Sequence, residues 1–404
     1  MAATAFALSA DYAHELFRRM AAVSSWLPLL VTPLALAGVA ALTQRYFKGA
    51  EGSGIPQTIA ALRMTEDGDR NAVLSLRLAA AKMLLTCVGL AGGASVGREG
   101  PTVQVGAALL YNLRWLVRFP RHLMERGLIV AGGGAGVAAA FNTPLAGVVF
   151  AIEEMARSFE ERSSGILITA VIIAGLAAVY VQGNYTYFGA TSATLNDASG
   201  WFGVLLCGLA GGLLGGGFSR LVLAFSTHGL PGRAGGFVRT HPVGFAAMCG
   251  LALALIGLAS GGAVFGSGYV EAKHLIEGSG GVSAGYGVWK ILATLVSFVS
   301  GIPGGLFAPS LSAGAGIGQF VAGLVNQADA GALIVIGMAA YFAGVVQAPI
   351  TAFVIVMEMT DNHAMVVPLM LATLLATAVS RVVCPRPLYK ALATNYLARV
   401  RPAA

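Results

Sequence analysis

The sequence predicts an all-α polytopic membrane protein made of two similar halves that contain tilted and partial helices. Hydrophobic residues make up 56% of its 404 residues and charged residues only 11%, whereas soluble domains carry about 25% charged residues. Three glycine-proline strings interrupt the apolar runs, at 52–56, 97–101 and 305–309. The chain also repeats part of its own sequence. Long apolar segments, interruptions at matching places and an internal repeat together indicate a repeat-built membrane fold.

The N-terminal region predicts a helix at the membrane surface followed by the first membrane span. Residues 8–20 are amphipathic and end in Arg18 and Arg19, which is typical of an interfacial helix rather than of a cleaved signal. The apolar run at 24–43 is long enough to be an uncleaved span. The net charge of +7 suits contact with anionic lipid head groups. Because the basic residues are scattered, we expect no nucleic-acid partner.

A repeated pattern divides the chain into two halves. Three pairs of segments match one another: 139–155 with 344–359, 52–54 with 266–268, and 97–101 with 305–309. The first pair aligns Glu153 with Glu358. We therefore predict a first half at 1–182, a polar connecting loop at 183–200 and a second half at 201–404, all within a single transmembrane domain.

The three strings place helix N-termini at membrane depth. Each puts an unwound turn just before a helical segment, and such a break is tolerated only where protein buries it or where it lines a cavity. Helix N-termini offer free N–H groups and a positive dipole end, which suit an anion. The string at 97–101 adds Arg98 and Glu99, which are costly at this depth unless they function. These features indicate an anion pathway with a titratable gate.

The strings also carry a family resemblance. GSGIP at 52–56, GREGPTVQ at 97–104 and GGLFAP at 304–309, followed by Leu388-Tyr389, resemble the CLC family of chloride channels and chloride/proton antiporters. The resemblance runs from about residue 50 to the end of the chain. It implies a CLC-type inverted repeat of the bacterial type, without C-terminal regulatory domains. It further implies chloride/proton antiport by a homodimer in which each subunit has its own pore, in the plasma membrane (the bacterial inner membrane).

The resemblance assigns the chloride-binding residues. A central chloride would be held by the Ser53 hydroxyl, the Tyr389 phenol, and the backbone N–H groups of Leu306 and Phe307. An outer anion site would be formed by backbone amides around Arg98, Glu99 and Gly100. Such donors suit conduction, because an anion must bind firmly enough to enter and loosely enough to leave. For Ser53, the alternative is a helix N-cap.

Two glutamates are the candidates for proton transfer. A carboxylate among anion-binding amides can occupy the anion site itself and leave once it is protonated. The family glutamate that matches Glu99 is the gate and the extracellular-side proton acceptor; an ion pair with Arg98 is the alternative. Glu154 matches the internal proton-transfer residue of CLC antiporters, which channels commonly lack. A solvated helix end near Arg157 and Glu160 is the alternative for Glu154.

Further residues bear on the inner proton path. Lys82 resembles a family lysine near the internal proton entrance, with Glu153 as the suggested carboxylate partner and snorkelling to the interface as the alternative. Glu358 matches a family glutamate near the subunit interface and is interpreted as structural. Gln57 and Ile59 stand where relatives carry acids, so we expect this path to be wired differently here.

Two other functions stay open. A chloride channel of the same fold would use Glu99 as a gate without tight proton coupling. An intramembrane enzyme would need a base beside Ser53, yet no histidine lies near any string, so we expect no enzyme. The dispersed cysteines and histidines predict neither a metal site nor a cofactor. Ser53 and Pro101 favour chloride over nitrate and fluoride, so the expected partners are chloride, protons, membrane lipid and a second copy of the chain.

Overall fold

The computed structural model describes residues 1–115, 121–156, 161–183, 186–195, 197–227, 235, 237–238, 240–325 and 330–400. Within these ranges the chain is helical, with two isolated β-bridges and no β-strand. The helices of the first half are α1 (Ala2–Val23), α2 (Pro28–Tyr46), α3 (Ile55–Arg63), α4 (Asp67–Leu74), α5 (Leu76–Ala91), α6 (Glu99–Asn112), α7 (Arg121–Phe141), α8 (Pro144–Phe150) and α9 (Glu161–Gln182). Those of the second half are α10 (Ala198–Thr227), α11 (Pro242–Ala259), α12 (Tyr269–Glu277), α13 (Tyr286–Val299), α14 (Phe307–Leu324), α15 (Ala330–Val346), α16 (Pro349–Thr360), α17 (Val366–Val383) and α18 (Leu388–Val400).

The helices differ greatly in length, as the interrupted apolar runs predict. In the described ranges, six segments are long and apolar enough to cross a membrane: Pro28–Tyr46, Asp67–Ala91, Gly165–Gln182, Ala198–Ser226, Pro242–Ala259 and His363–Val383. By contrast, α3 and α12 have nine residues each and α8 has seven, too few to span a bilayer of about 30 Å. The prediction of an all-α membrane protein with partial helices is confirmed.

The two halves repeat the same close helix packing. In the first half, α6 lies against α7 where Gly106 meets Gly132; in the second, α14 lies against α15 where Gly314 meets Gly337. At each of these glycines, an added Cβ would overlap the backbone of the facing helix. Small residues therefore allow direct contact between backbones, which is how helices associate in lipid.

Two short helices begin in the same way. Gly54 precedes α3 with φ of 95°, and Gly268 precedes α12 with φ of 78°. Both glycines adopt the left-handed conformation that other residues take only at a cost. The sequence match between 52–54 and 266–268 is therefore a match of backbone geometry.

The unwound strings pair with one another across the two halves. Gly97 and Gly305 exchange backbone hydrogen bonds of 2.8 and 2.7 Å. The Gly52 N–H donates to the Ile302 carbonyl and the Gly304 N–H donates to the Gly52 carbonyl, both at 3.1 Å. Hence backbone groups that the helices leave unpaired find partners in the other half, as broken backbone at membrane depth requires.

An irregular segment joins the two halves. It lies between the end of α9 at Gln182 and the start of α10 at Ala198. The proposed boundaries at 182/183 and 200/201 stay predictions.

At the N-terminus, α1 is longer than the predicted interfacial helix, and its side chains Phe6 and Phe17 are buried. It packs along α5 and also contacts α6, α7 and α9. Its position at the membrane surface stays a prediction.

Candidate functional site

Three helix N-termini converge at the centre of the molecule. The string at 52–56 leads into α3, the string at 97–101 into α6 and the string at 305–309 into α14. The three strings lie close together at Gly100, where an added Cβ would overlap Ser53 Oγ and approach the Gly305 Cα. Three sets of N-terminal amides and three positive dipole ends therefore meet at one place.

The central pair of hydroxyls comes from the two ends of the chain. Ser53 precedes α3, and Tyr389 lies in the first turn of α18. Both residues are buried, and the Tyr389 ring packs against Phe307 with centroids 6.1 Å apart. The Ser53 and Tyr389 hydroxyls lie close together, yet neither has a hydrogen bond of normal geometry to the described residues. Two buried donors are thus available, beside the start of α14 at Leu306 and Phe307.

Glu99 is the first residue of α6, and its side chain is fully buried. Its carboxylate lies beside the backbone amide of Ala308 in the first turn of α14. Its Oε1 accepts a 3.3 Å hydrogen bond from the Tyr187 hydroxyl. The carboxylate therefore lies among the N-terminal amides of α6 and α14.

Arg98 does not form the ion pair with Glu99 that was the alternative role for the gate. Its Nη1 lies 2.5 Å from Asp11 Oδ1 and donates to the Ala7 carbonyl at 2.6 Å. Both partners belong to α1, whose position next to the gate string is fixed by these contacts. Glu99 is thus left to interact with helix amides and Tyr187.

The two adjacent glutamates lie in a π-helical turn, Ala151–Ala156, that follows α8, and they have different surroundings. Glu154 is buried and lies near the Tyr389 hydroxyl. Glu153 instead accepts backbone hydrogen bonds from Ile350 (3.2 Å) and Thr351 (2.6 Å) at the start of α16. Such turns are frequent at functional sites. Residues 157–160, which supplied the alternative of a solvated helix end for Glu154, lie outside the described residues.

Lys82 is fully buried, so the snorkelling alternative is wrong. Its Nζ donates to Gln104 Oε1 at 2.8 Å and to the Glu51 carbonyl at 3.4 Å. The interpretation of Glu153 as its carboxylate partner is also wrong, because the Glu153 carboxylate is held by the N-terminus of α16. The acidic side chain that lies near Lys82 is Glu51.

The departures from the family pattern have local consequences. Gln57 is buried and donates from Nε2 to the Glu51 carbonyl at 2.6 Å. Ile59 is part of the hydrophobic core. Neither position supplies a titratable group; the acid that lines a cavity together with Ser53 and Gln57 is Glu51.

Comparison with known proteins now fixes the family. The model of the family described as voltage gated chloride channel matches residues 35–381. The chain belongs to the CLC family of voltage gated chloride channels. It is 33% identical over 398 residues to proteins named H(+)/Cl(-) exchange transporter ClcA from Yersinia pestis bv. Antiqua (strain Angola) and Yersinia pseudotuberculosis serotype O:3 (strain YPIII). Each comparison covers 92% of this chain and 80% of the relative.

Solved CLC structures share the fold. A slow cyanobacterial Cl-/H+ antiporter has a TM-score of 0.81 at 23% identity, covering 98% of this chain and 95% of that one. A CLC-type fluoride/proton antiporter has a TM-score of 0.78 at 21% identity, covering 96% and 95%. The chain therefore has the CLC inverted-repeat fold and is a multi-pass integral membrane protein.

In this CLC protein, two cavities reach the residues predicted to bind the anion. One, of about 570 Å³, is lined by Arg98, Glu99 and Tyr187. The other, of about 220 Å³, is lined by Ser53 and Glu51. Following the family orientation of the gate, we call them the outer and the inner cavity.

Sequence reasoning missed three residues of these cavities. Tyr187 lies in the irregular segment between the halves, Asp11 on an amphipathic helix, and Glu51 next to a string already interpreted through its glycines. The one available signal was the placement of Glu51 directly before Gly52.

Proposed function

We propose that this CLC protein is a chloride/proton antiporter. The observation that carries the proposal is the position of Glu99: its carboxylate lies among helix N-terminal amides, where it lines the outer cavity. The 33% identity to proteins named as H(+)/Cl(-) exchange transporters supports the same function.

Chloride passes between the cavities by exchanging one set of donors for another. From the inner cavity it reaches Ser53 and Tyr389, whose hydroxyls offer hydrogen bonds without a full positive charge. It then meets the amides near Glu99, which hold either the carboxylate or the anion. Binding to neutral donors lets chloride move on, since no cation traps it. Ser53 and Pro101 favour chloride over fluoride.

Protons use the same gate. A protonated Glu99 loses its attraction to the helix N-termini and leaves the anion path, so chloride enters as the proton is taken up. Glu154, buried near Tyr389, is the inner proton donor and acceptor. This buried acid favours an exchanger over a channel of the same fold. The relatives named as exchange transporters support transport over the enzyme alternative.

A reversal-potential measurement in proteoliposomes tests the coupling. With opposed chloride and proton gradients, the reversal potential of an exchanger shifts when only the pH gradient is changed. A potential that follows chloride alone would make the protein a channel.

Glu99→Gln tests the gate. An amide cannot take up a proton or compete as an anion, so we expect chloride flux to persist while chloride-driven proton uptake falls at least roughly a hundredfold. Parallel chloride-electrode and pH-electrode recordings on one preparation give both rates. Proton uptake at the wild-type rate would remove Glu99 from the proton path.

Glu154→Gln tests the inner relay. We expect proton uptake to be suppressed to a similar extent while chloride still flows, because the amide cannot relay a proton. Glu66→Gln, at an exposed position, is the matched control and should leave both rates unchanged. If the Glu154 variant pumps protons like the wild type, the relay lies elsewhere.

The homodimer that the family resemblance implies is part of the proposal. Light scattering of the purified protein in detergent, corrected for bound detergent, should give twice the chain mass. A mass equal to one chain would contradict it.

A further inference from the structure

The outer cavity contains a second serine–tyrosine arrangement that mirrors the one at the centre. Ser267 stands between Gly266 and Gly268 just before α12, as Ser53 stands between its glycines just before α3. Both helices have nine residues and follow a left-handed glycine. Ser267 also lines the outer cavity. The inverted repeat therefore presents the start of α12 to the outer cavity as it presents the start of α3 to the inner one.

The tyrosines follow the same symmetry. Tyr187 lies five residues beyond the end of α9 at Gln182, and Tyr389 lies six beyond the end of α17 at Val383. Each ring also packs against the first residue of a helix: Tyr187 contacts Tyr269 of α12 with centroids 5.0 Å apart, and Tyr389 contacts Phe307 of α14 at 6.1 Å. These two ring contacts are not themselves related by the repeat, because both helices belong to the second half.

The Tyr187 hydroxyl already binds an anion. It is buried and donates to the Glu99 carboxylate at 3.3 Å. Tyr187 and Ser267 both line the outer cavity, so this donor is available there when the protonated Glu99 leaves. Ser267 Oγ accepts a 3.4 Å hydrogen bond from the Tyr269 N–H, which leaves its own hydroxyl proton to donate. The same hydroxyl can then donate to an anion that arrives from outside.

The charges around the outer cavity also suit an anion. Arg98 lines it and is more than nine-tenths buried, and its Nε has no hydrogen bond to the described residues. The acid that neutralises its Nη1, Asp11, is largely exposed. Apart from Glu99 itself, the remaining charged groups of the wall are Glu15 and Arg18 on α1, which lie 3.9 Å apart. Glu15 also accepts a 2.9 Å hydrogen bond from Arg19, and the imidazole of His14 lines the wall as well. A small monovalent anion fits these donors, because a larger charge would be held too strongly to pass on.

We propose that Tyr187, Ser267 and the start of α12 form an additional halide site in the outer cavity, the symmetry mate of the Ser53–Tyr389 site. The inference rests on the proposed function. Tyr187 has two roles there: its hydroxyl holds the Glu99 carboxylate while the gate is closed and holds chloride when the gate has opened. Chloride is thereby concentrated next to Glu99 on the outer side.

Bromide diffraction on the full-length protein tests the site directly. In Glu99→Gln crystals grown with bromide, an anomalous peak should lie within about 3.5 Å of the Tyr187 hydroxyl and Ser267 Oγ. In Glu99→Gln/Tyr187→Phe/Ser267→Ala it should be absent, while the peak at Ser53 and Tyr389 remains. A central peak with no outer peak in Glu99→Gln would overturn the inference alone. No peak at either place would overturn the proposed anion pathway as well.

Calorimetric chloride titration in detergent tests the same site in solution. Relative to Glu99→Gln, the added Tyr187→Phe and Ser267→Ala changes should weaken the outer binding event roughly tenfold, as expected for loss of a hydrogen bond to a charged group. Tyr180→Phe on an exposed part of α9 and Ser260→Ala after α11 are the matched controls. Equal affinities in all the variants would contradict the site, and so would an equal loss in the controls.

Discussion

At the scale of single residues, the gate depends on a neighbour that has no side chain. A Cβ at Gly97 would overlap Glu99 Oε2 and come within 3.1 Å of Pro309 Cδ. The carboxylate therefore occupies the volume that any other residue at 97 would fill. Glycine is required here by a close approach and not by its backbone angles. The same string thus supplies both the gating acid and the space in which that acid sits.

Gly97→Ala should therefore displace the Glu99 carboxylate from the anion path. Since the acid can then no longer compete with chloride, we expect chloride flux to persist. Chloride-driven proton uptake should fall at least about tenfold, a decrease in rate within the range for a misplaced proton-transfer group. Proteoliposome flux with both electrodes measures the ratio. Gly38→Ala, where an added Cβ meets nothing within 4 Å, is the matched control. Unchanged coupling in Gly97→Ala would show that the carboxylate sits elsewhere during transport.

The charge of Glu51 leads to a second prediction at the scale of single residues. Among the described residues that line the inner cavity it is the one charged side chain, and its Oε2 accepts a 2.6 Å hydrogen bond from the Gly49 N–H. A carboxylate there opposes chloride entry from inside. Glu51→Gln should therefore lower the chloride concentration for half-maximal flux about two- to fivefold, from a Coulomb energy of about 1 kcal/mol.

Salt dependence separates this effect from a packing change. The difference between Glu51→Gln and the wild type should shrink as an inert salt such as potassium gluconate is added, because screening weakens the interaction. Glu66→Gln, which makes the same change of net charge at an exposed position, should behave like the wild type. A difference that does not respond to salt would contradict the electrostatic account.

At the scale of elements, each half of the protein caps a helix of the other. Glu153 of the first half accepts from the N-terminal amides of α16, and Glu358 of the second accepts from Leu145 (3.0 Å) and Ala146 (2.6 Å) at the start of α8. Both helices begin with proline, which suits the first helical position. A carboxylate at a helix N-terminus satisfies free amides and interacts favourably with the dipole. The aligned glutamates are therefore reciprocal caps.

Glu358→Ala and Glu153→Ala should each lower the free energy of unfolding by about 1–2 kcal/mol, the value of a charged helix cap. Thermal unfolding in detergent micelles should show lower midpoints for both. Glu277→Ala, which removes an exposed i,i+4 pair with Lys273 at 3.7 Å, should have little effect. If Glu153→Ala abolished proton uptake at unchanged stability, the residue would belong to the proton path and not to a cap.

The caps also show which features of the fold and of the site the sequence can predict and which it cannot. The repeat aligned Glu153 with Glu358, and the glycine strings predicted where α3, α6 and α14 begin, because both signals are local in the chain. Which helix each glutamate reaches depends on how the two halves are placed together, and no spacing encodes it. For the same reason Lys82 was assigned the wrong partner. Tyr187 was missed because an irregular segment has no periodicity that would predict where its side chains lie.

At the scale of the whole molecule, neither half contains all the residues of the proposed anion pathway. Ser53 and Glu99 come from the first half, Phe307 and Tyr389 from the second, and the hydrogen bonds between the strings join the halves at this point. In lipid no water can satisfy the broken backbone, so each half needs the other. The contact that stabilises the assembly is therefore also the contact that builds the site.

Gly305→Ala tests this coupling of stability and function. A Cβ there would lie 2.8 Å from the Gly100 N and 3.2 Å from the Gly97 carbonyl oxygen, both in the other half. We expect the strings to be forced apart, with a loss of about 1–3 kcal/mol in unfolding free energy, as for overpacking. Chloride flux and proton uptake should fall together, since the donors of both halves are displaced. Gly323→Ala, near the C-terminal end of the helix α14 that follows Gly305, has open space for its Cβ and should retain stability and both fluxes. A Gly305 variant that is destabilised yet transports normally would separate the joining contact from the anion pathway.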